Sequence, residues 1–147
     1  MPYHHTQRGT LILIVCLGGA AFDAAVVWWT GQWSAAIALI VLLATATVFS
    51  SLTVEVNGSE LRWHFGPRLW TYRLALDDIA SVAVVRNRWT NGFGIRRRPG
   101  FRLYNVSGLD AVELRLRSGD VRRIGTDDPA GLSAALSARR DSGRQWR

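Results

Sequence analysis

The sequence predicts an α+β membrane protein: a hairpin of two transmembrane helices precedes a small antiparallel β sandwich or barrel of about seven strands, capped by a C-terminal helix. Three observations lead to this prediction. Residues 9–53 contain one carboxylate, Asp23, and no basic side chain. From residue 52 onwards apolar residues alternate with polar ones, and turn residues separate the runs. The last apolar run, around Leu132, has helical spacing instead.

The uncharged segment is long enough for two membrane spans. A helix of about 20 apolar residues crosses a bilayer core, and this segment is about twice that length. Gly31 and Gln32 interrupt it, because glycine lets the chain turn and glutamine prefers water. We therefore predict helices at residues 10–29 and 33–52. The turn is flanked by tryptophans, whose rings suit the membrane–water interface: Trp28, Trp29 and Trp33.

The distribution of arginine predicts the orientation. The hairpin tip has none, whereas Arg8 precedes the first helix and every other arginine follows the second. The positive-inside tendency then places both termini and the β domain on the cytoplasmic side of the plasma membrane. Residues 1–9 form a short cytoplasmic leader in this interpretation, with His4 and His5 exposed to solvent. The first apolar run also resembles a cleavable signal peptide, but apolar character continues past residue 50, which favours retention.

Asp23 is the one acidic residue within the predicted spans. A carboxylate at membrane depth is costly, so it indicates a function by default. Its expected antiparallel neighbours, Ala38 and Leu39, offer no polar side chain, and small residues nearby permit close helix packing. We predict a contact between helices, or hydration from the hairpin tip, in preference to proton transport, which needs a chain of such groups.

The β domain is predicted over residues 53–140. Asn57 and Gly58 are typical of a two-residue hairpin, and Gly66 and Pro67 mark the next turn. A further turn is expected at residues 77–78, and a long irregular loop at 87–100. The predicted strands lie between these breaks, at residues 52–56, 61–65, 70–74, 79–85, 101–106, 112–116 and 121–125. We expect the first three to be apolar on one face and the fourth to be buried.

A helix over residues 129–140 is predicted to plug one open end of the β domain. Asp128 is its expected N-cap, because a carboxylate accepts hydrogen bonds from the free N–H groups of the first turn, and Pro129 suits the first helical position. Leu132, Ala135 and Leu136 form its apolar stripe. Residues 141–147 are predicted to be a polar tail.

Four stretches of the β domain resemble the uncharacterised bacterial pleckstrin-homology-like (PH-like) membrane proteins. They are GFGIR (92–96), YNVSG (104–108), AVEL (111–114) and IGTDDP (124–129). Phe93 stands where that family has Trp, and residues 52–85 resemble it in pattern only. The resemblance implies a PH-like fold after one or two membrane spans; it implies no reaction, because a fold does not fix a function. The loop at 57–59 lacks the basic motif of phosphoinositide-binding PH domains.

An arginine-rich segment at residues 86–102 is the main candidate contact site. Its candidate residues are Arg86, Arg88, Trp89, Phe93, Arg96, Arg97, Arg98 and Arg102. Guanidinium groups bind phosphate and carboxylate groups, so we predict contact with anionic lipid headgroups or a protein partner. Near an anionic leaflet each arginine contributes about 1 kcal/mol. Two alternatives stay open: a solvated loop, or a structural role in which Arg96 is buried against a carboxylate while Trp89 and Phe93 cap the barrel.

No catalytic constellation is evident. Cys16 is alone in an apolar run and the three histidines are scattered, so no disulfide, metal or cofactor site is predicted. We therefore predict a non-enzymatic, membrane-anchored binding or scaffold module in the lipid bilayer, with a protein partner or a homo-oligomer among its expected contacts. The alternative is an accessory subunit of a larger membrane complex, assembled through the hairpin. Nucleic-acid binding is disfavoured, because the aromatic residues alternate into a core.

Overall fold

The computed structural model describes residues 2–68 and 70–144. It confirms the α+β class, with an N-terminal apolar helix, two β-sheets and a C-terminal helix. Two short 3-10 turns, Leu76–Asp78 and Trp89–Asn91, join the strands. In chain order the elements are β1 (Tyr3–Arg8), α1 (Thr10–Thr30), α2 (Ala35–Val48), β2 (Ser51–Asn57), β3 (Glu60–Phe65), β4 (Trp70–Ala75), β5 (Ile79–Arg86), β6 (Gly94–Arg98), β7 (Phe101–Asn105), β8 (Asp110–Leu116), β9 (Val121–Gly125) and α3 (Pro129–Arg144).

Within the described part of the chain, α1 is the one helix that is long and apolar enough to cross a membrane, by length and composition. Only Cys16 and Ala20 of its 21 residues are buried. The helix ends at Gly31, whose φ of 68° is left-handed and favours glycine. The two helices approach closely at Gly19, where an added Cβ would lie 3.3 Å from the Leu42 side chain.

The second helix, α2, is shorter than the predicted 33–52. Its 14 residues extend for about 21 Å, since a helix rises about 1.5 Å per residue. The reason for the early end is that Ser51 already pairs with Arg8 in a sheet.

Sheet A has the strand order β1-β2-β3-β4, and all its pairs are antiparallel. The prediction of a separate leader is corrected by strand β1, because residues 3–8 pair with residues 51–56 of β2. His4 is exposed as predicted, whereas His5 is half-buried. The three predicted strands of this sheet are confirmed. Trp70 departs from the expected inward face and is 53% exposed, because it opens the edge strand β4.

Sheet B has the strand order β5-β8-β9-β7-β6. Its pairs are antiparallel except β7 with β9, which are parallel. Strand β6 lies within the predicted irregular loop. With β6 and β1 added to the seven predicted strands, the described residues form nine. The prediction that residues 79–85 are buried is wrong: β5 is an edge strand, only its Ile79 is buried, and Val84 is 54% exposed.

The two sheets and α3 enclose one hydrophobic core. The buried residues include Leu52, Val56, Leu61, Trp63, Phe65, Val112, Leu114, Ile124, Leu132 and Leu136. The N-cap prediction is confirmed, since the Gly131 N–H donates to the Asp128 carboxylate at 2.9 Å. Helix α3 continues to residue 144, so residues 141–144, predicted as part of the tail, are helical; residues 145–147 of that prediction lie outside the described part of the chain.

Sheet B stands with one edge towards the helices. Gly94, at the start of β6, lies beside the Phe49 ring that follows α2; a Cβ there would be 3.5 Å from the ring. The opposite edge, β5, contacts α3, which also contacts the turn Leu76–Asp78. That turn adjoins the far end of sheet A, where the Leu76 N–H donates to Ser59 at 2.8 Å. Within sheet B, the distance of the strands from the helices therefore increases in the order β6, β7, β9, β8, β5.

Candidate functional site

The arginine-rich segment is more ordered than an irregular loop. Arg98 donates to the carbonyl oxygens of Thr90, at 2.6 Å, and Asn91, at 3.3 Å. These bonds hold the 3-10 turn against β6, so Arg98 has a structural role. Gly92 and Gly94 have φ angles of 79° and 86°, in the left-handed region that favours glycine. The turn and the strand together give Arg96, Arg97 and Arg98 defined positions.

Arg96 does not have the structural role considered from the sequence. Its side chain is exposed, and its Nε donates to the carbonyl oxygen of Phe93 at 3.1 Å. The interpretation of a buried Arg96 tied to a carboxylate is therefore wrong. Trp89 is 76% exposed, so it does not cap the core, while Phe93 is half-buried.

A groove of about 450 Å³ lies where β6 meets the helices. We call it the junction groove. One wall consists of residues from the helix ends, and the other is the start of β6 with the turn before it: Ile12, Thr45 and Phe49, then Gly92, Phe93, Gly94, Ile95 and Arg96. The apolar surface of the helices thus continues onto Phe93 and Ile95 and meets the charge of Arg96.

The other predicted arginines do not join the junction groove. Arg86 is opposite Asp110 across β5 and β8, and Arg88, two residues further along the chain, is exposed. Arg97 is opposite Arg102 across β6 and β7, and both are exposed. The eight residues predicted as one site are therefore divided among the groove, the turn and two separate places on sheet B.

Sequence reasoning missed Arg122, which lies next to Arg102 in the parallel pair β7–β9. Its guanidinium carbon is 5.9 Å from the centre of the Trp63 ring, in the range of a cation–π contact. A sequence signal existed, because Arg122 has the same parity as Ile124 in a strand whose side chains alternate. An arginine at a core-facing position is unusual in a protein, because its charge is costly to bury. Such a position therefore indicates a ligand or a partner that compensates the charge.

The Trp63 ring that Arg122 contacts belongs to an aromatic cluster. Trp63 stacks on Tyr72 with centroids 5.5 Å apart, and both rings contact Tyr104. Burial raises the pKa of Tyr72 above its ordinary value, and Tyr104 adds to this effect. The Tyr72 hydroxyl, which lies beside Arg97 and Arg102 in a shallow pocket, is therefore neutral at physiological pH and can donate hydrogen bonds.

A charged network on the outer face of sheet B holds Asn87, near the start of the arginine-rich segment. Arg123 donates to the Glu113 carboxylate at 2.8 Å and to the Asn87 side chain at 3.2 Å. Arg115 approaches the other Glu113 oxygen at 3.3 Å. Glu113 is itself buried. The network is a structural anchor, because its acceptors are occupied by protein donors.

Strand β1 is joined to sheet B and α3 by side chains. The Tyr3 hydroxyl donates to Asp128 at 3.1 Å, His5 contacts Asp127 at 2.5 Å, and Gln7 donates to the Ser107 carbonyl at 2.8 Å. Burial and the negative charge of Asp128 raise the pKa of Tyr3 well above its ordinary value, so its hydroxyl keeps its proton. The residues before α1 are thus part of the folded domain.

Asp23 lies on α1 with one side-chain oxygen enclosed. Its Oδ2 is buried and has no hydrogen-bond partner within residues 2–68 and 70–144. The described residues also contain no group of three or more His, Cys, Asp or Glu side chains able to hold a metal ion. Comparison with protein-family models and with curated proteins finds no match. The resemblance to PH-like proteins therefore stays a prediction.

Proposed function

We propose that this chain is a membrane-anchored, non-enzymatic binding module whose two N-terminal helices cross the bilayer and return. The observation that carries the proposal is the pairing of β1 with β2. One strand precedes α1 and the other follows α2, and the Gly9 N–H donates to the Ser50 oxygen at 2.8 Å between them. Hydrogen-bonded strands occupy one compartment, so a chain that crosses in α1 has to return before Ser51.

The exposed surface of the helices supports lipid as their solvent. Large apolar side chains of α1 and α2 point outward, among them Ile14, Val15, Leu17, Phe22, Ile37, Ile40 and Val41. At the tip, Trp28 is 89% exposed and Trp33 is 79% exposed, as interface residues would be. A local thinning of the bilayer accommodates the short α2 at modest cost.

The same geometry supports an orientation with the β domain in the cytoplasm. Arg8 and all arginines of sheets A and B lie on one side of such a hairpin, and the tip between α1 and α2 has none. The positive-inside tendency favours the arginine-rich side as cytoplasmic. The proposal includes a PH-like domain as the scaffold, in line with the sequence resemblance.

The surface proposed to bind is the junction groove. Ile95 is 39% exposed and Phe93 half-buried beside the helix ends, so both would lie at the level where acyl chains meet headgroups. The exposed guanidinium of Arg96 would then face anionic headgroups of the cytoplasmic leaflet. The apolar side chains thus lie at the depth of the acyl chains, and the basic side chain lies at the depth of the headgroups.

A depth measurement tests this surface. In a Cys16→Ala background, a fluorophore is attached at Ile95→Cys or, as a matched control, at Ser59→Cys at the far end of sheet A. The full chain is placed in lipid nanodiscs containing headgroup spin-labelled lipid. We expect strong quenching at position 95 and little at position 59, and a further increase at 95 with anionic lipid that Arg96→Gln reduces. Equal quenching at the two positions would reject the surface.

A second function, assembly with another membrane protein or a second copy through the helices, is favoured by Asp23. The Asp23 carboxyl group has an oxygen without a partner among the described residues, which is costly in an apolar setting. A rotation of the side chain towards a donor from a neighbouring helix would remove this cost. Crosslinking followed by pull-down compares wild type with Asp23→Ala; Gly18→Ala, in the same helix with open space around it, is the control. Identical partner lists for wild type and Asp23→Ala would count against assembly.

A further inference from the structure

Three arginines lie side by side on neighbouring strands of sheet B. Arg97 of β6 is opposite Arg102 of β7, and Arg102 is the register partner of Arg122 on β9. Register partners point to the same face of a sheet. That face looks towards sheet A, because the next partners along the same strands, Tyr104 and Ile124, are buried in the shared core.

The three side chains line a cleft of about 240 Å³ at the margin of the core. Its other walls are Arg98, Gly100, Phe101, Gly119, Asp120 and Val121. At about 30 Å³ per water molecule, the cleft holds the equivalent of roughly eight waters, which suits a small charged group. The Nε of Arg122, one of the lining residues, is buried without a hydrogen-bond partner among the described residues.

Like charges directly opposite each other destabilise a sheet. Sheet A contains a comparable pair, Arg62 opposite Arg73, and there Glu60 neutralises Arg62 at 2.7 Å. On the outer face of sheet B, Glu113 likewise binds Arg123. Carboxylates thus accompany the other close arginines of the two sheets.

The row Arg97, Arg102 and Arg122 differs in this respect. No ion pair involves any of the three in the part of the chain that the structure describes. Asp120 is the one acidic residue lining the cleft, beside four arginines, and it is not within ion-pair distance of them. The cleft therefore has a net positive charge that an anion from outside the chain would neutralise.

We propose that Arg97, Arg102 and Arg122 form a binding site for a phosphoryl group carrying two negative charges. Each guanidinium presents a planar pair of N–H donors that matches the oxygens of such a group. A bound phosphoryl group would replace the repulsion along the row by three attractions and give Arg122 an acceptor. The site uses residues other than the junction groove, so it does not rest on the proposed lipid contact.

Two sources share this chemistry: a soluble phosphorylated compound and a phosphomonoester headgroup. Arg97 is on the strand nearest the helices, and β7 and β9 lie about 5 and 10 Å further away, at the usual spacing of strands. Arg97 is thus nearest to a membrane surface and Arg122 furthest. The test therefore has one arm for each source.

The full chain in nanodiscs of zwitterionic lipid is heated with pyrophosphate, or with sodium chloride at equal ionic strength. The second arm uses nanodiscs containing phosphatidic acid, a phosphomonoester, compared with phosphatidylglycerol, a phosphodiester. Tryptophan fluorescence reports Tm. We expect a higher Tm with the phosphomonoester or pyrophosphate than with its control. A shift in the first arm alone identifies a soluble ligand, and a shift in the second alone identifies a headgroup.

Two variants assign the effect to the row. Arg102→Gln and Arg97→Gln each remove one charge from it, so each is expected to raise Tm without ligand, to remove the ligand-induced shift and to weaken binding about tenfold or more. Arg73→Gln removes one member of the comparable pair in sheet A and is expected to keep the full shift. The proposal is overturned by an absence of shift in both arms, or by an Arg102→Gln protein that responds like wild type.

Discussion

The N-terminal cap of α3 combines a local hydrogen bond from Gly131 with a contact from the far end of the chain. The Gly131 N–H donates to Asp128, whose other carboxylate oxygen accepts from Tyr3 on β1. A Cβ at Gly131 would collide with this carboxylate. The cap could be predicted from the sequence, because Asp128 and Gly131 are neighbours. The Tyr3 contact could not, because 125 positions separate the two residues.

Because of this collision, we expect replacement of Gly131 by alanine to destabilise α3, although the same replacement usually stabilises a helix. In an ordinary helix, alanine is more stabilising than glycine by about 1 kcal/mol. Here we expect Gly131→Ala to lower the free energy of unfolding by about 1 kcal/mol, because the added methyl group displaces the cap. Unfolding of the full chain in detergent measures the difference. Ser137→Ala, on the exposed face of α3, is the control, with an expected change within about 0.5 kcal/mol; a stabilising Gly131→Ala would contradict the account.

His64 gives the fold a dependence on pH. Its side chain is buried in β3, and its Nε2 accepts from the Arg68 Nε at 3.3 Å. Burial lowers the pKa of His64 below its ordinary value of 6.5, and the charge of Arg68 lowers it further. The folded protein therefore holds this imidazole neutral where the unfolded chain begins to bind a proton.

The sign of the effect follows from linkage. Since the folded pKa of His64 is lower than the unfolded one, stability is fully present above pH 6.5 and is lost as pH falls through the lowered pKa. We expect the Tm of wild type to fall on acidification below pH 6.5, and that of His64→Gln to fall less over the same interval. Parallel Tm profiles for the two proteins would show that His64 does not cause the acid sensitivity.

At the scale of elements, the strands with alternating apolar residues could be predicted and the polar strands could not. Strands β2, β3 and β8 have buried residues at every second position, which the period of two reveals. The polar sequence of β1 and the arginines of β6 give no apolar period. Both are edge strands, stabilised by hydrogen bonds to one neighbour and by side-chain contacts with distant parts of the chain.

The junction between β1 and α1 depends on the small size of Gly9. A Cβ at this position would collide with the carbonyl oxygen of Phe49, whereas one at Gly18 meets nothing within 4 Å. We expect Gly9→Ala to lower stability by about 1–3 kcal/mol through overpacking, and Gly18→Ala to be neutral or slightly stabilising. Thermal unfolding of the two variants in the same detergent compares them. Equal stability would mean that the strand and the helix end do not pack as closely as described.

At the scale of the whole molecule, two sheets and α3 share one core while β6 faces the helix ends. The grouping of the arginines arises only here, because register between strands decides which of them are neighbours. Sequence alone placed Arg96 and Arg98 together, although one faces the junction groove and the other holds a turn. The inward face of Arg122 was readable from its strand, but its neighbours Arg102 and Arg97 were not.

In the proposed topology, the pairing of β1 with β2 keeps both ends of the helical segment on one side of a membrane. Single cysteines at His4, Gln32 and Ser118 in a Cys16→Ala background test it most directly. In intact spheroplasts, a membrane-impermeant maleimide is expected to label Gln32→Cys and to spare His4→Cys and Ser118→Cys until the membrane is opened. Labelling of positions 4 and 118 from opposite sides of the membrane, or of positions 32 and 118 from the same side, would rule out a hairpin that returns before Ser51.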